Sequence, residues 1–402
     1  MRETPLFSVI AVCCNVAPYA ERMIGSIRAQ GYAGFECLAV VEESDDGTER
    51  VIRKAIGDDL RFRVVTLPRS GSASASRNWG IDHARGGYLL FVDGDDWIEP
   101  DALEGFATLL AEHPKLDLIA GGSYDYRQQA DGVPVRSGGH VQGTPGARFG
   151  SGVAFLESVD FADRWIPATW MNLYRRELLR GNGLYQAPGR LHQDDEWTYR
   201  VFLKAGAVAV APFRHYNYRI HAASVTHAPG PKTMYDRAEN VKSACRFFEA
   251  GEYPASFRRT LARHFCRHFL HAPFLLRNYS GKRLRRLVPR EDCRRALLAC
   301  LGTREQFRSY CRIVRAAGGA QLWFIPLMYL ARKGAFSGCR NISAVSGSTG
   351  SCRCSGMVRG EGGAPCRINV RCSASSSRST TPPNGWRRVL NRCWRRLRRI
   401  SN

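Results

Sequence analysis

The run Gly87-Tyr88-Leu89-Leu90-Phe91-Val92-Asp93-Gly94-Asp95-Asp96-Trp97 constrains the fold more than any other stretch, because an apolar segment ends abruptly in three carboxylates. Preceded by Gly86-Gly87, it reads as a strand buried on both faces. The acids then sit at the carboxyl end of that strand, where open α/β sheets bind ligands. Three like charges so close together repel one another and call for a cation. A hard divalent ion that itself carries a substrate phosphate answers that need. A solvated acidic turn capping the following helix is the competing reading, since Asp95-Asp96 would serve there too.

The preceding segments repeat the pattern. Residues 7–14 form a strand-like run, 15–30 show helical spacing in Ala20, Met23, Ile24 and Ile27, and 35–41 form the next strand. The acidic stretch Glu42-Glu43-Ser44-Asp45-Asp46-Gly47-Thr48 then leads into a helix through Val51, Ile52 and Ile56. A third strand over 62–67 is followed by Ser70-Gly71-Ser72-Ala73-Ser74-Ala75-Ser76-Arg77-Asn78 and another helix. Strands alternating with helices of this length predict a parallel, helix-covered sheet. Right-handed crossovers place every strand-to-helix loop on one edge. Glu42, Glu43, 70–77 and 93–96 therefore converge into a mononucleotide-type site, where small Gly and Ser residues let backbone approach phosphates. Arg77 is placed to add a charge-assisted hydrogen bond, with a solvated helix face as the alternative for it and for Asn78. No P-loop and no dinucleotide fingerprint occurs, which weakens ATPase and dehydrogenase readings.

Beyond Pro100 a helix (103–112) and a strand (116–120) are expected, and 128–152, rich in Gly, Pro and polar residues, reads as a loop. Asp194-Asp195-Glu196 opens a helix that continues through Trp197, Val201 and Phe202. Acids in a first turn are favoured by the helix dipole alone; a general base that reaches a bound hydroxyl is the functional alternative. His215 to His227 reads as a strand entering a polar loop that could meet a diphosphate, although a lone histidine such as His221 is more often structural.

Net charge is +23, from 59 basic and 36 acidic residues, which points to a polyanionic partner. Much of the excess lies in 231–335, a helical and basic region whose cations alternate with aromatics, suiting either a solvated face or an anionic membrane surface. The segment 336–402 holds 13 arginines against one acid, Glu361, and six of the 14 cysteines. Its composition is that of a disordered tail, with an interfacial amphipathic helix over 386–400 as the exception; out-of-frame translation of a GC-rich gene gives the same enrichment. Scattered cysteines, a start lacking a signal-peptide pattern and no apolar run of membrane-spanning length predict a cytoplasmic chain.

Five ordered motifs make residues 7 to about 227 resemble the bacterial family 2 glycosyltransferases with the GT-A fold. Ser8-Val9-Ile10-Ala11-Val12-Cys13-Cys14-Asn15 resembles the opening strand, and 40–48 resembles the acidic loop that holds uracil and ribose. Ser74-Ala75-Ser76-Arg77-Asn78-Trp79-Gly80 resembles the segment under the diphosphate, Asp93-Gly94-Asp95-Asp96 the Asp-x-Asp motif, and Asp194-Asp195-Glu196 the motif carrying the base. The resemblance implies a GT-A domain over 1–230, Rossmann-like with a mostly parallel sheet and helices on both faces.

By the same resemblance Val12, Asn15, Glu42, Arg77 and Asp93 would bind the nucleotide. Asp95, with Asp93, would hold Mg2+ or Mn2+, and Asp195 would be the catalytic base. Asp194 and Trp170 would lie on the acceptor side, although Trp170 also reads as a core aromatic. The implied activity is inverting transfer of a sugar, as a UDP-sugar or a related donor, to a hydroxyl of a cell-surface polysaccharide or lipid-linked glycan precursor, at the inner face of the membrane. Val12 and Cys14 replace the usual Pro and Tyr of the first motif, Glu42-Glu43 an Asp pair, and Asp194 a Glu. A non-catalytic sugar-nucleotide-binding protein and, less favoured, a nucleic-acid binder are the alternatives. No nucleic-acid module is recognisable in the basic segments.

Overall fold

The computed structural model describes residues 4–159, 166–222 and 224, four positions between 236 and 243, and two strands in the C-terminal segment. The first seven elements follow the predicted alternation: β1 (Phe7–Cys13), α1 (Ala17–Arg28), β2 (Phe35–Glu42), α2 (Thr48–Ile56), β3 (Phe62–Leu67), α3 (Ser74–His83) and β4 (Tyr88–Asp93). Every residue of β1 and β2 is buried. That is the signature of strands covered by helices on both faces, and it explains why their sequences do not alternate. On one face α1 contributes Ala20, Met23, Ile24 and Ile27, all fully buried. Each large aliphatic side chain removed from water in this way stabilises the fold by about 1.5–3 kcal/mol. Gly86 precedes β4 because a Cβ there would lie 2.5 Å from the Phe7 carbonyl carbon and the Ser8 nitrogen.

Next come β5 (Trp97–Ile98), α4 (Ala102–Glu112), β6 (Leu118–Ala120), β7 (Gly122–Gln128), β8 (Pro134–Val141), β9 (Arg148–Phe149) and α5 (Gly152–Ser158). A 3-10 turn (Thr169–Met171) leads into β10 (Asn172–Arg175), α6 (Arg176–Gly181), α7 (Asp194–Lys204), β11 (Val208–Val210) and β12 (Tyr216–Ile220). The central sheet runs β3-β2-β1-β4-β10-β6-β11-β9. The first four strands are mutually parallel, and β10 enters antiparallel between β4 and β6. A second sheet has the order β5-β12-β7-β8.

One expectation changed. Nearly half of 128–152 is not loop: β8 pairs antiparallel with β7 from Val141 opposite Gly122 to Pro134 opposite Gln128. Its Gly and Pro are tolerated because β8 is an edge strand, where a missing N–H or side chain costs little. In the C-terminal segment, β13 (Cys352–Gly360) and β14 (Gly363–Cys372) form an antiparallel hairpin.

The chain divides into two compact units, 1–302 and 303–402. The expected boundary near 230, most of the basic region 231–335, and the amphipathic stretch 386–400 lie outside the described residues. Among the described residues no helix is long and apolar enough to cross a membrane.

Candidate active site

β1 is flanked by β2 on one side and β4 on the other, so chain order reverses between β1 and β4. Ligands bind at such a switch point, outside the carboxyl ends of the strands. Val12 on β1 is the register partner of Asp93 on β4. Gly94 follows with no room for a side chain, since a Cβ would meet Val16 Cγ2 at 2.7 Å and Val12 O at 3.1 Å. This close approach brings the acidic loop against the end of β1.

The loops around that point are tied together by the residues that the motifs single out. Asn15 adopts a left-handed backbone (φ 53°). Its N–H donates to Ser44 Oγ at 3.1 Å, and its side-chain oxygen accepts from Asp45 N at 2.9 Å. Asp46 accepts from Ala17 N at 2.9 Å and Thr48 N at 3.0 Å, bridging the starts of α1 and α2. Glu42, 4% exposed, accepts from Ser70 N at 2.9 Å, Ser70 Oγ at 2.7 Å and Ser76 Oγ at 3.0 Å. The Glu42 carboxylate therefore pins the serine-rich loop to the end of β2.

Arg77 is buried, not on a solvated face, and its guanidinium donates to Asp93 Oδ1 at 2.6 Å. Its other arm lies 3.4 Å from both Thr169 Oγ1 and Gln186 Oε1. Asn78 exchanges two hydrogen bonds with the Gln186 backbone, at 2.8 and 2.9 Å. Gln186 and Thr169 carry no motif signal, yet they lock α3 to the segment before α7. Asp194 opens α7, and its Oδ1 accepts from Asp195 N at 3.2 Å. Its carboxyl is raised above the usual range by desolvation first, while Arg77 pulls it back and Asp93 adds to the rise. One buried arginine thus sits in the field of a carboxylate from each motif, and Asp195, partly exposed, follows on the first turn of α7.

The remaining acids of the loop divide their roles. Asp96 is 1% exposed and accepts from Tyr216 Oη at 2.8 Å and Arg219 N at 2.7 Å. Burial, then Asp95 and Asp93, push its carboxyl well above the usual range. Tyr216 Oη also accepts from Asp93 N at 3.0 Å. His221 Nε2 lies 2.8 Å from Asp95 Oδ2 and its Nδ1 3.4 Å from Tyr19 Oη. The sequence drew attention to His221; nothing in it linked Tyr216 or Arg219 to the acidic loop, 120 residues away along the chain.

Among the described residues no three ligating side chains form a ready-made metal cage. The donor set nevertheless fits a hard divalent cation. Asp93 gives one oxygen to Arg77 and Asp95 one to His221, and the second oxygen of each is uncommitted among the described residues. Mg2+ and similar ions are commonly held by one or two carboxylates together with substrate phosphates. Trp170, 8% exposed, stacks on Tyr216 (centroids 4.5 Å, 15°) and Tyr218 (5.3 Å, 12°), so most of its ring faces protein.

Comparisons with known proteins agree with this architecture. The profile described as glycosyl transferase family 2 matches residues 8–180. EpsJ of Bacillus subtilis, described as an uncharacterized glycosyltransferase, is 28% identical over 351 residues, covering 83% of this chain and 98% of EpsJ. YibD of Escherichia coli, also described as an uncharacterized glycosyltransferase, is 26% identical over 60% of this chain and 70% of its own length. The structure of residues 1–349 of S. aureus TarS in complex with UDP-GlcNAc superposes with a TM-score of 0.58 at 18% identity, covering 89% of this chain and 98% of that one.

Proposed function

We propose that the chain, whose residues 8–180 match the family 2 glycosyl transferase profile, is an inverting, metal-dependent glycosyltransferase of the GT-A fold that transfers a sugar from a nucleotide diphosphate donor to a glycan hydroxyl. The observation that carries the reading is Arg77, buried between Asp93 of the strand-end motif and Asp194 of the distant helix start. Two carboxylate motifs a hundred residues apart are gathered round one cation.

In this reading the sugar nucleotide lies over the ends of β1, β2 and β4. Val12, Asn15 and the Glu42–Ser70–Ser76 cluster shape the nucleoside side, and Asp93 and Asp95 face the diphosphate. A divalent cation bound by Asp95 and Asp93 would neutralise the charge that grows on the departing diphosphate. Asp195 removes the acceptor proton as its oxygen attacks the anomeric carbon from the face opposite the leaving nucleotide. The C–O bond to the acceptor forms while the C–O bond to the diphosphate breaks, so one displacement inverts the centre. Asp194 orients the start of α7 and faces Arg77. Trp170, held by Tyr216 and Tyr218, shapes the acceptor wall. TarS, the structural relative, was captured with UDP-GlcNAc, which supports trying UDP-linked donors first. The acceptor is a surface polysaccharide or lipid-linked precursor, met at the inner membrane face, with 1–230 as the catalytic domain and the cations of the 231–335 sequence suiting an anionic surface.

The test is a panel of nucleotide sugars assayed for nucleotide release with Mg2+, Mn2+ and EDTA. Release from at least one donor that stops with EDTA is expected. Donor binding without release under any condition would favour a non-catalytic binding protein, and release indifferent to EDTA would remove the metal.

A further inference from the structure

The second sheet carries an unassigned feature: a run of arginines stacked on aromatic rings along one face. The register pairs Asn217 with Trp97 on β5 and Arg219 with Tyr126 on β7, so Trp97, Arg219 and Tyr126 share a face. Tyr126 is in turn opposite Arg136 on β8. The contacts fall in two groups along the sheet. The Arg219 guanidinium carbon lies 4.8 Å from the Tyr19 ring centroid and 5.0 Å from that of Trp97, and Arg22 covers Trp97 at 3.7 Å. Trp97 and Tyr126 are 4.7 Å apart. Arg136 covers Tyr124 at 3.7 Å, and Arg214 lies 5.1 Å from the same ring.

None of Arg22, Arg136, Arg214 and Arg219 makes an ion pair with a carboxylate among the described residues, whereas Arg53, Arg61, Arg69, Arg77, Arg85, Arg175 and Arg200 all do. Arg28, Arg63 and Arg176 also lack an acid, but each donates to a backbone carbonyl, of Ala55, His83 and Ala84 respectively. A guanidinium lying flat on a ring keeps its in-plane N–H donors pointing away, in the fork geometry that suits carboxylate and phosphate. Four strands spaced at 4.7–4.9 Å make the track about 15 Å wide, longer than one sugar residue. One end is at the proposed reaction centre, where Arg219 Nε donates to the Asp95 backbone oxygen at 2.8 Å.

We propose that this face is the binding track for an acceptor polysaccharide that carries anionic groups, carboxylate or phosphate, at intervals along its chain. The inference rests on the glycosyltransferase reading above for the identity of its ligand. Arg136 and Arg214 hold the distal anionic groups, and Arg22, exposed over Trp97, holds the one nearest the growing end, while the buried Arg219 packs on Tyr19 and Trp97 and fixes that end to the Asp95 backbone. A glycan fits better than a bilayer because the rings are covered by cations instead of being offered for insertion.

The experiment titrates the full-length protein with hexagalacturonate, with neutral maltohexaose and with phosphatidylglycerol vesicles. The same titrations are run on Arg136→Ala/Arg214→Ala, on Arg136→Ala alone because that side chain is exposed, and on Arg387→Ala/Arg388→Ala in the basic tail. Hexagalacturonate is expected to bind at least about tenfold more tightly than maltohexaose, with affinity falling as salt rises. The double variant in the sheet should lose about tenfold or more, the single variant should lose part of that, and the tail variant should lose none. Equal binding by the sheet variants and the parent overturns the proposal, as does a loss of equal size in the tail variant. Vesicle binding that depends on Arg136 and Arg214 without hexagalacturonate binding overturns it in favour of a membrane. Nucleotide release from donor in the absence of acceptor is measured in parallel. If release persists while the track fails, only the track is wrong; if release is absent while hexagalacturonate binds through Arg136 and Arg214, the catalytic reading falls and an anionic-glycan binding face remains.

Discussion

The two halves of the central sheet are assembled by opposite rules. In the parallel half, β3-β2-β1-β4, every strand is joined to the next by a helix, and the loops that reach the site are consecutive in sequence. In the mixed half, β10-β6-β11-β9, neighbours come from distant parts of the chain and two of the three pairings are antiparallel. The division coincides with the chemistry: the proposed donor residues lie at the ends of β1, β2 and β4, and the proposed acceptor residues precede β10 or open α7. On the proposed reading the first half would bind the nucleotide through its own contacts, while the second must be held against it. Arg77, Thr169 and Gln186 do the holding.

The sharpest way to separate the halves is Asp195→Asn. It removes the proposed base and leaves the donor half untouched, so kcat should fall by about 10²–10⁴-fold with donor affinity unchanged. Stopped-flow transfer and donor calorimetry on the same preparation check both statements. Loss of donor binding would show that the halves do not separate.

Arg77→Ala attacks the joint itself. It leaves the partly exposed Asp93 without its partner and removes the contacts to Thr169 and Gln186. Breaking a fully buried ion pair by deleting one partner costs about 3–5 kcal/mol; with Asp93 27% exposed the loss should be smaller, read as a lower midpoint in urea. If stability is unchanged, the halves are held by something else.

The same contrast explains what the sequence revealed. The parallel half was legible because continuous apolar runs, helical spacing and loop chemistry recur with one period, and convergence of 42, 70–77 and 93–96 follows from crossover handedness alone. The order of the mixed half was not legible. Short strands such as β6 and β11 have only three residues each, too few to show a period. Pro134, Gly138 and Gly139 disguised β8 as loop, since edge pairing is a tertiary effect that local composition does not encode. Within the site, the motif residues were visible but their partners were not. Tyr216 and Arg219 meet Asp96 from 120 and 123 residues away, and a tyrosine in a strand looks the same whether or not its hydroxyl has a carboxylate to reach.

A pH test sharpens the comparison at the junction of the two sheets. His215 is fully buried, with its Nε2 3.2 Å from Trp170 O, and burial pushes its imidazole down to about 4. An imidazole of ordinary pKa near 6.5 in the unfolded chain binds its proton first. Stability from the neutral ring is therefore complete above about pH 6.5 and is lost as pH falls from there toward 4. The span corresponds to about 3 kcal/mol. Urea unfolding between pH 4 and 7 should show a slope that His215→Gln makes shallower, with the midpoint of the parallel half, followed by exchange of the β1 and β2 amides, moving with the whole. An unchanged slope would place the acid-labile element elsewhere.

The smallest expected effect tests the donor half from within. Glu42 already accepts three hydrogen bonds from the serine loop, so it acts on the nucleotide chiefly by fixing where that loop lies. Ser76→Ala removes one of the three, and the loss of a single hydrogen bond to a carboxylate costs about 1.5–3 kcal/mol when the acceptor stays buried and unsatisfied. Two bonds from Ser70 remain, so a value at or below the lower end, roughly a tenfold rise in donor Kd, is the expected outcome, with kcat unchanged. Ser70→Ala keeps the backbone N–H bond and should resemble it. A large fall in kcat from either variant would mean that Glu42 senses the transition state and belongs with Asp95, and a negligible change in Kd would mean that the serine loop does not touch the nucleotide.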